Sequence, residues 1–261
     1  VILVLARPQT TNKWQNSEIE GIDIMLAIDV STSMLAEDLK PNRLEAAKDV
    51  AAEFINGRPN DNIGITLFAG ETFTQCPLTV DHAVLLDMIH NIKCGLITDG
   101  TAVGMGIANA VTRLKDSKAK SKVIILLTDG TNNKGDISPM TAAEIAKSFG
   151  IRVYTIGVGT NGMAPYPYPV GNTVQYVSMP VEIDEKTLTE IAGTTDGNYF
   201  RATSNSKLKE VYEEIDKLEK TKLNVKEYSK RDEEYHWFAL AAFLCVLLEV
   251  LLRNSVLKKI P

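Results

Sequence analysis

The sequence predicts an α/β fold: a doubly wound, mostly parallel central sheet with helices on both faces. Apolar runs of strand length, such as 21–29 and 122–129, alternate with helical patterns. That alternation is typical of β-α-β crossovers. The runs are almost continuously apolar, as expected of strands buried on both faces. A further apolar run near the C-terminus predicts a transmembrane helix added to this domain.

Six strands are predicted in the central sheet. They lie at 21–29, 62–70, 71–76, 122–129, 151–159 and 198–203. Residues 62–70 and 71–76 are expected to be joined tightly at Ala69-Gly70. The strands at 21–29 and 122–129 each end in an aspartate, which makes their carboxyl ends the first place to look for function.

Helices are predicted at 41–55, 82–92, 101–114, 138–149, 184–193 and 207–220. Apolar residues recur at helical spacing in the first of them, and Pro41 is expected in its first turn. For the helix at 138–149, Ser138 is expected as the N-cap, Pro139 as the first residue and Gly150 as the stop.

The segment 160–183 interrupts this alternation. Its prolines and glycines exclude a helix, so we interpret it as an irregular or hairpin insertion. Tyr166, Tyr168 and Tyr176 predict a contact surface. The alternative, a loop that only packs on its own domain, stays open. Gly157, Gly159 and Gly162 fit GxGxxG, but a dinucleotide site needs a helix to begin there, and this sequence prevents one.

The two ends of the chain have a different composition. Residues 1–7 are interpreted as the end of a longer N-terminal membrane helix. Residues 221–235 are charged and predict a linker or an extended helix. Residues 237–252 are apolar apart from Glu249 and predict a transmembrane helix at 236–253, near the length that a span needs. An amphipathic or core helix is the alternative.

Composition limits the classes of function. The 261 residues are 44% hydrophobic and 23% charged, which suits one sizeable globular domain with appendages or two small ones. The net charge of −5 weighs against a nucleic-acid partner. Cys76, Cys94 and Cys245 show no zinc-binding spacing. A Cys76–Cys94 disulfide stays open, although free, partly buried thiols are favoured.

Polar oxygen side chains follow two of the predicted strands. Asp29 ends the first strand and is followed by Ser31 and Ser33, while Asp129 ends the strand at 122–129. Alternate positions in an extended turn project to one side, so these oxygens are expected to converge. Oxygen ligands with few formal charges suit Mg²⁺ or Mn²⁺. Serines after a strand are also common helix caps, which is the structural alternative.

Three ordered motifs, DVSTS at 29–33, DGTAVG at 99–104 and LLTDG at 126–130, resemble the von Willebrand factor A domain. The resemblance covers about 20–220 and implies a Rossmann-like fold with a metal-ion-dependent adhesion site. It implies the ligands Asp29, Ser31, Ser33, Thr101 and Asp129, with Mg²⁺ as the ion and Mn²⁺ or Ca²⁺ as alternatives. The sequences at 33–48 and 128–159 further resemble BatA-type aerotolerance proteins of bacteria. Thr32 stands where many relatives have glycine and is expected to stiffen the turn.

The resemblance implies a membrane-anchored binding module that captures an acidic residue of a partner protein in a membrane complex. It implies a link to oxidative-stress tolerance, partners among membrane proteins of the same operon, and a domain on the periplasmic side of the bacterial inner membrane. Counting basic residues around the tail would instead leave the domain cytoplasmic. A homo-oligomer stays open.

A metal-dependent hydrolase that uses the same oxygens is the alternative function. It would need a general base near the metal, and Glu37 and Asp38 are interpreted as having surface-like surroundings. A phosphatase of the haloacid dehalogenase type would need an acid where Ser31 stands. We therefore predict a chain that is not an enzyme, with no catalytic residues and no organic cofactor.

Overall fold

The computed structural model describes residues 9–10, 21–129, 132–160, 162–170, 173–181, 183–225, 232–233 and 235–255. The chain divides into two compact units. One is Ile19–Asn224, which is close to the 20–220 expected for the domain. The other contains the paired two-residue strands Gln9–Thr10 and Asp232–Glu233 and a C-terminal helix.

The larger unit contains eight strands in its described residues. They are β1 Asp23–Asp29, β2 Asn62–Phe68, β3 Thr72–Thr79, β4 Lys122–Thr128, β5 Ile151–Val158, β6 Gly162–Val170, β7 Thr173–Val181 and β8 Tyr199–Ala202. Six form the central sheet in the order β3-β2-β1-β4-β5-β8. Only β3 runs antiparallel there, beside β2. The predicted, mostly parallel sheet is confirmed.

Helices cover both faces of this sheet. They are α1 Arg43–Asn56, α2 His82–His90, α3 Val103–Leu114, α4 Pro139–Ser148, α5 Glu185–Thr194 and α6 Asn205–Val225. Successive strand residues point to opposite faces. Thus Leu26 and Ile28 of β1 lie in the core with α1, α2 and α6, whereas Met25 and Ala27 lie in the core with α3, α4 and α5. The doubly wound arrangement is confirmed.

The helix ends follow capping rules, with one correction. Ser138 accepts a hydrogen bond from the Thr141 N–H, Pro139 is the first residue of α4, and Gly150 follows the helix with a φ of +66°. The expectation for Pro41 was wrong, because α1 begins at Arg43 and Asn42 is its N-cap. The Asn42 side chain accepts from the Glu45 N–H at 2.8 Å and so satisfies a donor that the first turn leaves unpaired.

Helix α3 begins two residues later than predicted, and this places Thr101 in a loop. The Ala102 N–H donates to the Ala69 carbonyl at 2.6 Å, and the Thr101 carbonyl accepts from the Asn133 N–H at 3.0 Å. Because both groups bond to neighbouring loops, they do not enter the helical hydrogen-bond pattern. Thr101 is buried at the carboxyl edge of the sheet.

The insertion at 160–183 is a β-hairpin. Strands β6 and β7 pair antiparallel from Gly162 with Val181 to Val170 with Thr173, as a two-stranded sheet of their own. A strand therefore follows β5 here, and a helix N-terminus for a dinucleotide is excluded as expected. The carbonyl of Pro165 accepts a hydrogen bond from the Glu37 N–H at 2.9 Å, which attaches the hairpin to the loop after β1.

The C-terminal region agrees with the prediction only in part. Residues 221–225 continue α6, as the extended-helix alternative expects, and most of the remaining residues of 221–235 lie outside the described part of the chain. Helix α7, Tyr235–Ser255, covers the predicted span at 236–253. Among the described residues, no helix is both long and apolar enough to cross a bilayer, so the transmembrane helix is not confirmed. Its apolar run at 237–252 is shorter than the roughly 20 residues of a typical span. The N-terminal membrane helix predicted at 1–7 lies outside the described residues.

Candidate metal centre

Asp29 is the last residue of β1 and is fully buried. Its Oδ1 accepts from the Ser31 N–H at 2.9 Å and its Oδ2 accepts from the Thr128 hydroxyl at 2.6 Å. Burial raises the pKa of Asp29 well above its usual range, and the negative charge of Asp129 raises it further. The hydrogen bonds that described residues donate to Asp29 come from the neutral groups of Ser31 and Thr128, so these bonds do not balance its charge.

A short 3₁₀ turn, Thr32–Leu35, follows β1 and contains Ser33. Ser31 is the N-cap of this turn, but its side chain makes no capping hydrogen bond. Its hydroxyl lies 2.9 Å from the Ser33 hydroxyl, and Ser33 donates to Asp129 Oδ1 at 2.8 Å. The structure thus joins Ser31, Ser33 and Asp129 in one hydrogen-bonded chain. The interpretation of the serines as mere helix caps does not explain this geometry.

Asp129 follows β4, the neighbour of β1 in the sheet. Its Oδ1 faces Ser33, while its Oδ2 accepts from Arg43 Nη1 at 2.6 Å. Burial raises the pKa of Asp129, and the guanidinium of Arg43 opposes that shift. Sequence reasoning missed Arg43, the first residue of α1. The available signal was a charged residue at the start of an otherwise amphipathic helix.

Arg43 also binds Asp38, which corrects a second expectation. Its Nε and Nη2 donate to the two carboxylate oxygens of Asp38, each at 2.7 Å. The N–H of Thr160 donates to the same carboxylate at 2.7 Å. Asp38 therefore does not have surface-like surroundings, since its side chain is only 5% exposed. Burial would raise the pKa of Asp38, but the bonds from Arg43 and Thr160 outweigh it and hold that pKa at about 2.

Thr101 lies at the same centre, although no hydrogen bond among the described residues joins it directly to Ser31 or Ser33. Its N–H donates to the side-chain oxygen of Asn133 at 2.9 Å, a residue that sequence reasoning did not single out. Thr101, Ser33 and Asp129 line one cavity of about 390 Å³. The structure therefore brings together the three loops that carry the five predicted ligands, at the carboxyl edge of the sheet.

Thr32 connects two of these loops. Its N–H donates to Asp99 Oδ1 at 3.0 Å and its hydroxyl donates to Asp99 Oδ2 at 2.9 Å. Glycine at this position would lack the second bond. The departure from the family pattern thus links the serine loop to the loop of Thr101, and the serines still converge as expected.

Cys94 lies next to the centre and is not part of a disulfide. Its thiol donates to the Ser31 carbonyl at 3.4 Å. Burial and the negative charge of Asp29 raise the pKa of Cys94 to about 12. Cys76 is also a free thiol and is buried, so the favoured expectation for this pair is confirmed.

The donor set fits a hard divalent cation. Within the part of the chain that the structure describes, no three His, Cys, Asp or Glu side chains form a metal-binding group, so a cation here would depend on hydroxyl oxygens. Arg43 binds the carboxylates of Asp38 and Asp129 but not that of buried Asp29, so a cation at this centre would balance charge that Arg43 does not. Hydroxyl and carboxylate oxygens are the ligands that Mg²⁺ and Mn²⁺ prefer.

Comparison with known proteins supports this fold. BatB from Bacteroides thetaiotaomicron is 34% identical, with a TM-score of 0.67, over 77% of this chain and 100% of that one. An aerotolerance-related membrane protein from Bacteroides fragilis, solved with multiple mutations to serines, is 34% identical with a TM-score of 0.66 over 76% of this chain and all of its own. The indicated similarity to aerotolerance proteins is confirmed, with BatB rather than a BatA-type protein as the solved relative.

Three further similarities are more distant. Proximal thread matrix protein 1 from the mussel byssus, solved with a zinc-occupied MIDAS motif, is 25% identical with a TM-score of 0.60, over 76% of this chain and 45% of that one. A Borreliella burgdorferi protein is 28% identical over 100% of this chain and 77% of its own length. The chain spans 66% of a Mycolicibacterium paratuberculosis relative that is 30% identical over 83% of this chain.

The family follows from the sequence profile that matches most of the chain. The match covers residues 23–214, from the first central strand into α6. It includes all five predicted ligands and the hairpin. The chain belongs to the von Willebrand factor type A domain family.

Proposed function

We propose that this chain is a membrane-associated binding module whose Asp29, Ser31, Ser33, Thr101 and Asp129 hold a divalent cation that captures a carboxylate of a partner protein. The observation that carries the proposal is the chain of oxygens from Ser31 through Ser33 to Asp129. Asp29 and Asp129 are buried, whereas Ser33 is exposed. The cluster is therefore open to solvent on the side where a partner would approach.

The ligands of the cluster favour an acidic partner. Arg43 is shared by Asp38 and Asp129, and the hydroxyls of Ser33 and Thr101 are neutral. With Asp29, these groups leave two negative charges inside the site, which a bound Mg²⁺ or Mn²⁺ would offset. On the side of the exposed Ser33 hydroxyl the ligands are neutral, so an incoming carboxylate would complete the ligand shell there. The attraction is strong only where the contact excludes water, which the cavity walls favour.

The same geometry supports a binding module over a hydrolase. Two further carboxylates lie beside the cluster, Asp38 and Asp99. The pKa of Asp38 is about 2, and hydrogen bonds from Thr32 hold the pKa of Asp99 below its usual range, so both are weak bases. The bonds from Arg43 and Thr160 also occupy the oxygens of Asp38. We therefore propose that the cluster binds without catalysing hydrolysis.

Membrane association is the second part of the proposal. The similar Bacteroides fragilis protein is described as an aerotolerance-related membrane protein. We propose that this chain shares that setting, with α7 as a membrane-inserting helix, the domain on the periplasmic side, and partners among membrane proteins of the same operon. A role in oxidative-stress tolerance would follow from those partners.

Partner capture from native membranes tests the proposal. The full chain is used as bait with Mg²⁺, with a chelator, and as the variant Ser33→Ala with Mg²⁺. We expect a partner to be retained with Mg²⁺ by the native chain and by a control variant, and to be lost with chelator and in Ser33→Ala. Ser148→Ala is the matched control, because Ser148 is an exposed serine on α4 whose hydroxyl bonds to the Ile145 carbonyl of its own helix. Equal retention in all four samples would show that capture does not use this site.

A further inference from the structure

The β-hairpin forms a second wall of the cavity at the metal centre. One wall carries polar groups of the central sheet's loops, among them Ser33, Thr101 and Asp129. The other wall carries side chains of β6 and β7. These are Ala164, Tyr166, Tyr168, Met179, Pro180 and Val181. The cavity therefore combines a polar wall, where the proposed cation would bind, with an apolar one.

The hairpin wall is exposed although it is apolar. Tyr168 is 56% exposed and Met179 is 45% exposed. Exposed apolar side chains that gather next to a binding site are typical of contact surfaces. Tyrosine and methionine supply large contact areas, and the prolines of β6 restrict the hairpin's freedom, which lowers the entropic cost of binding.

The hairpin is attached beside the site through Glu37. The Glu37 N–H donates to the Pro165 carbonyl at 2.9 Å. Glu37 follows the serine loop directly in sequence. The apolar wall is thus held at a set place relative to the serines, and an occupant that reaches the serines also faces the wall.

The size of the cavity exceeds what a single carboxylate fills. Its volume of about 390 Å³ lies in the range of pockets that enclose small ligands. A lone acidic side chain would leave the apolar wall in water. A carboxylate with large apolar neighbours would occupy both walls together.

From this geometry we infer that the partner segment carries an acidic residue flanked by a large apolar or aromatic side chain, with the apolar group seated on Tyr168 and Met179. This inference rests on the proposed function, because it names the kind of segment whose carboxylate the metal centre takes. The metal centre supplies attraction for any carboxylate, and the hairpin selects among carboxylates by their neighbours.

A titration with two peptides tests the inference. The probes are acetyl-Phe-Glu-Phe-amide and acetyl-Gly-Glu-Gly-amide, which differ only in the neighbours of the glutamate. Each has the same residue on both sides of the glutamate, so the result does not depend on the direction in which the peptide binds. The full chain carries ¹³C-methyl-labelled methionine, and NMR shifts are followed with Mg²⁺ and with a chelator. With Mg²⁺ present, we expect the Phe-flanked peptide to bind about tenfold more tightly than the Gly-flanked peptide. We also expect it to shift the methyl signal of Met179.

Two methionines of the hairpin provide a matched pair of variants. Met179 lines the cavity, whereas Met163 is 60% exposed and does not line it. Met179→Ser should reduce the preference for the Phe-flanked peptide to about twofold or less and leave Mg²⁺ affinity unchanged. Met163→Ser should retain the tenfold preference. Tyr168→Ser is a second variant expected to behave like Met179→Ser.

The outcomes separate this inference from the proposed function. If both peptides bind with Mg²⁺ equally tightly and Met179→Ser changes nothing, the inference is wrong while carboxylate capture stands. If neither peptide binds with Mg²⁺, carboxylate capture itself is overturned. Equal binding of the Phe-flanked peptide with chelator would show that the apolar wall acts without the metal centre, which also overturns the inference.

Discussion

Arg43 and Asp129 form a buried ion pair inside the candidate metal centre. Arg43 Nη1 donates to Asp129 Oδ2 at 2.6 Å, and the two side chains are 2% and 0% exposed. The guanidinium thus lies beside a predicted metal ligand rather than on the protein surface. A buried arginine at this place adds positive charge where a divalent cation is proposed to bind. It therefore reduces the net negative charge that attracts the cation.

Replacing Arg43 should lower the stability of the protein without metal and increase the stabilisation that Mg²⁺ provides. Arg43→Gln leaves Asp129 buried without its counter-charge, which should lower the free energy of unfolding without metal by about 3–5 kcal/mol. Mg²⁺ should then stabilise the variant more than it stabilises the native chain, because the cation replaces the missing positive charge. Thermal unfolding with Mg²⁺ and with chelator measures both effects.

The control for this experiment is Arg152→Gln. Arg152 forms an ion pair with buried Glu219, away from the metal centre. This variant should also lose stability, but its gain from Mg²⁺ should equal that of the native chain. Equal gains in Arg43→Gln and Arg152→Gln would contradict a charge role for Arg43 at the centre.

Metal binding should depend on the oxygen cluster. Calorimetry with Mg²⁺ or Mn²⁺ is expected to show one site in the native chain and no measurable site in Ser33→Ala or Asp129→Ala, because each change removes an oxygen from the hydrogen-bonded chain. Ser148→Ala is expected to bind like the native chain. Metal binding that persists in both Ser33→Ala and Asp129→Ala would locate the site elsewhere.

Gly159 makes room for the Arg43 guanidinium. It has a φ of +127°, and a Cβ there would lie 2.6 Å from Arg43 Nη2. Gly159→Ala should therefore destabilise the fold by about 2–4 kcal/mol, through backbone strain together with displacement of Arg43. Urea denaturation measures the change.

Gly150→Ala is the matched control for Gly159→Ala. Gly150 also has a positive φ, +66°, but a Cβ there meets nothing within 4 Å. Gly150→Ala should lower the free energy of unfolding only by the backbone strain, about 1 kcal/mol. If the two variants are equally stable, contact with Arg43 does not explain the glycine at 159.

A second buried network, around Glu219, predicts how the stability of the fold changes at acid pH. Burial alone would raise the pKa of Glu219, but hydrogen bonds from Arg152, Tyr154 and Ser121 outweigh it and hold this pKa below its ordinary value. A carboxyl whose pKa is lower in the folded state stabilises the fold above its unfolded pKa. That contribution is lost as the pH falls below about 4.5 and through the folded pKa.

Glu219→Gln tests this network. It should lower the free energy of unfolding at pH 7 by about 3 kcal/mol, since it leaves Arg152 without its buried partner. It should also make stability less dependent on pH between about pH 5 and pH 3 than in the native chain. The measurement is urea denaturation across that range. Glu214→Gln, at an exposed position of α6, should keep the native pH dependence, and an equally steep curve for Glu219→Gln would exclude this role for Glu219.

Much of the fold was predictable because it depends on local patterns. Continuous apolar runs identified buried strands such as β1 and β4, and Ser138, Pro139 and Gly150 marked the ends of α4. The spacing of Asp29, Ser31 and Ser33 predicted convergence, because neighbouring residues of one turn stay close in any fold that retains the turn. Asp129 was found because parallel strands place their carboxyl ends at one edge of a sheet.

The remaining features were decided by the tertiary structure. In sequence, Arg43 is an ordinary helix residue, and it meets Asp129 across 86 positions only when α1 packs beside β4's carboxyl end. Asp38 is buried because Thr160, 122 positions away, and Arg43 enclose it. The hairpin was predicted as a contact surface, but its place over the metal centre was not. Local sequence determines strands, caps and turns, whereas contacts between distant loops depend on which loops the completed sheet brings to the same edge.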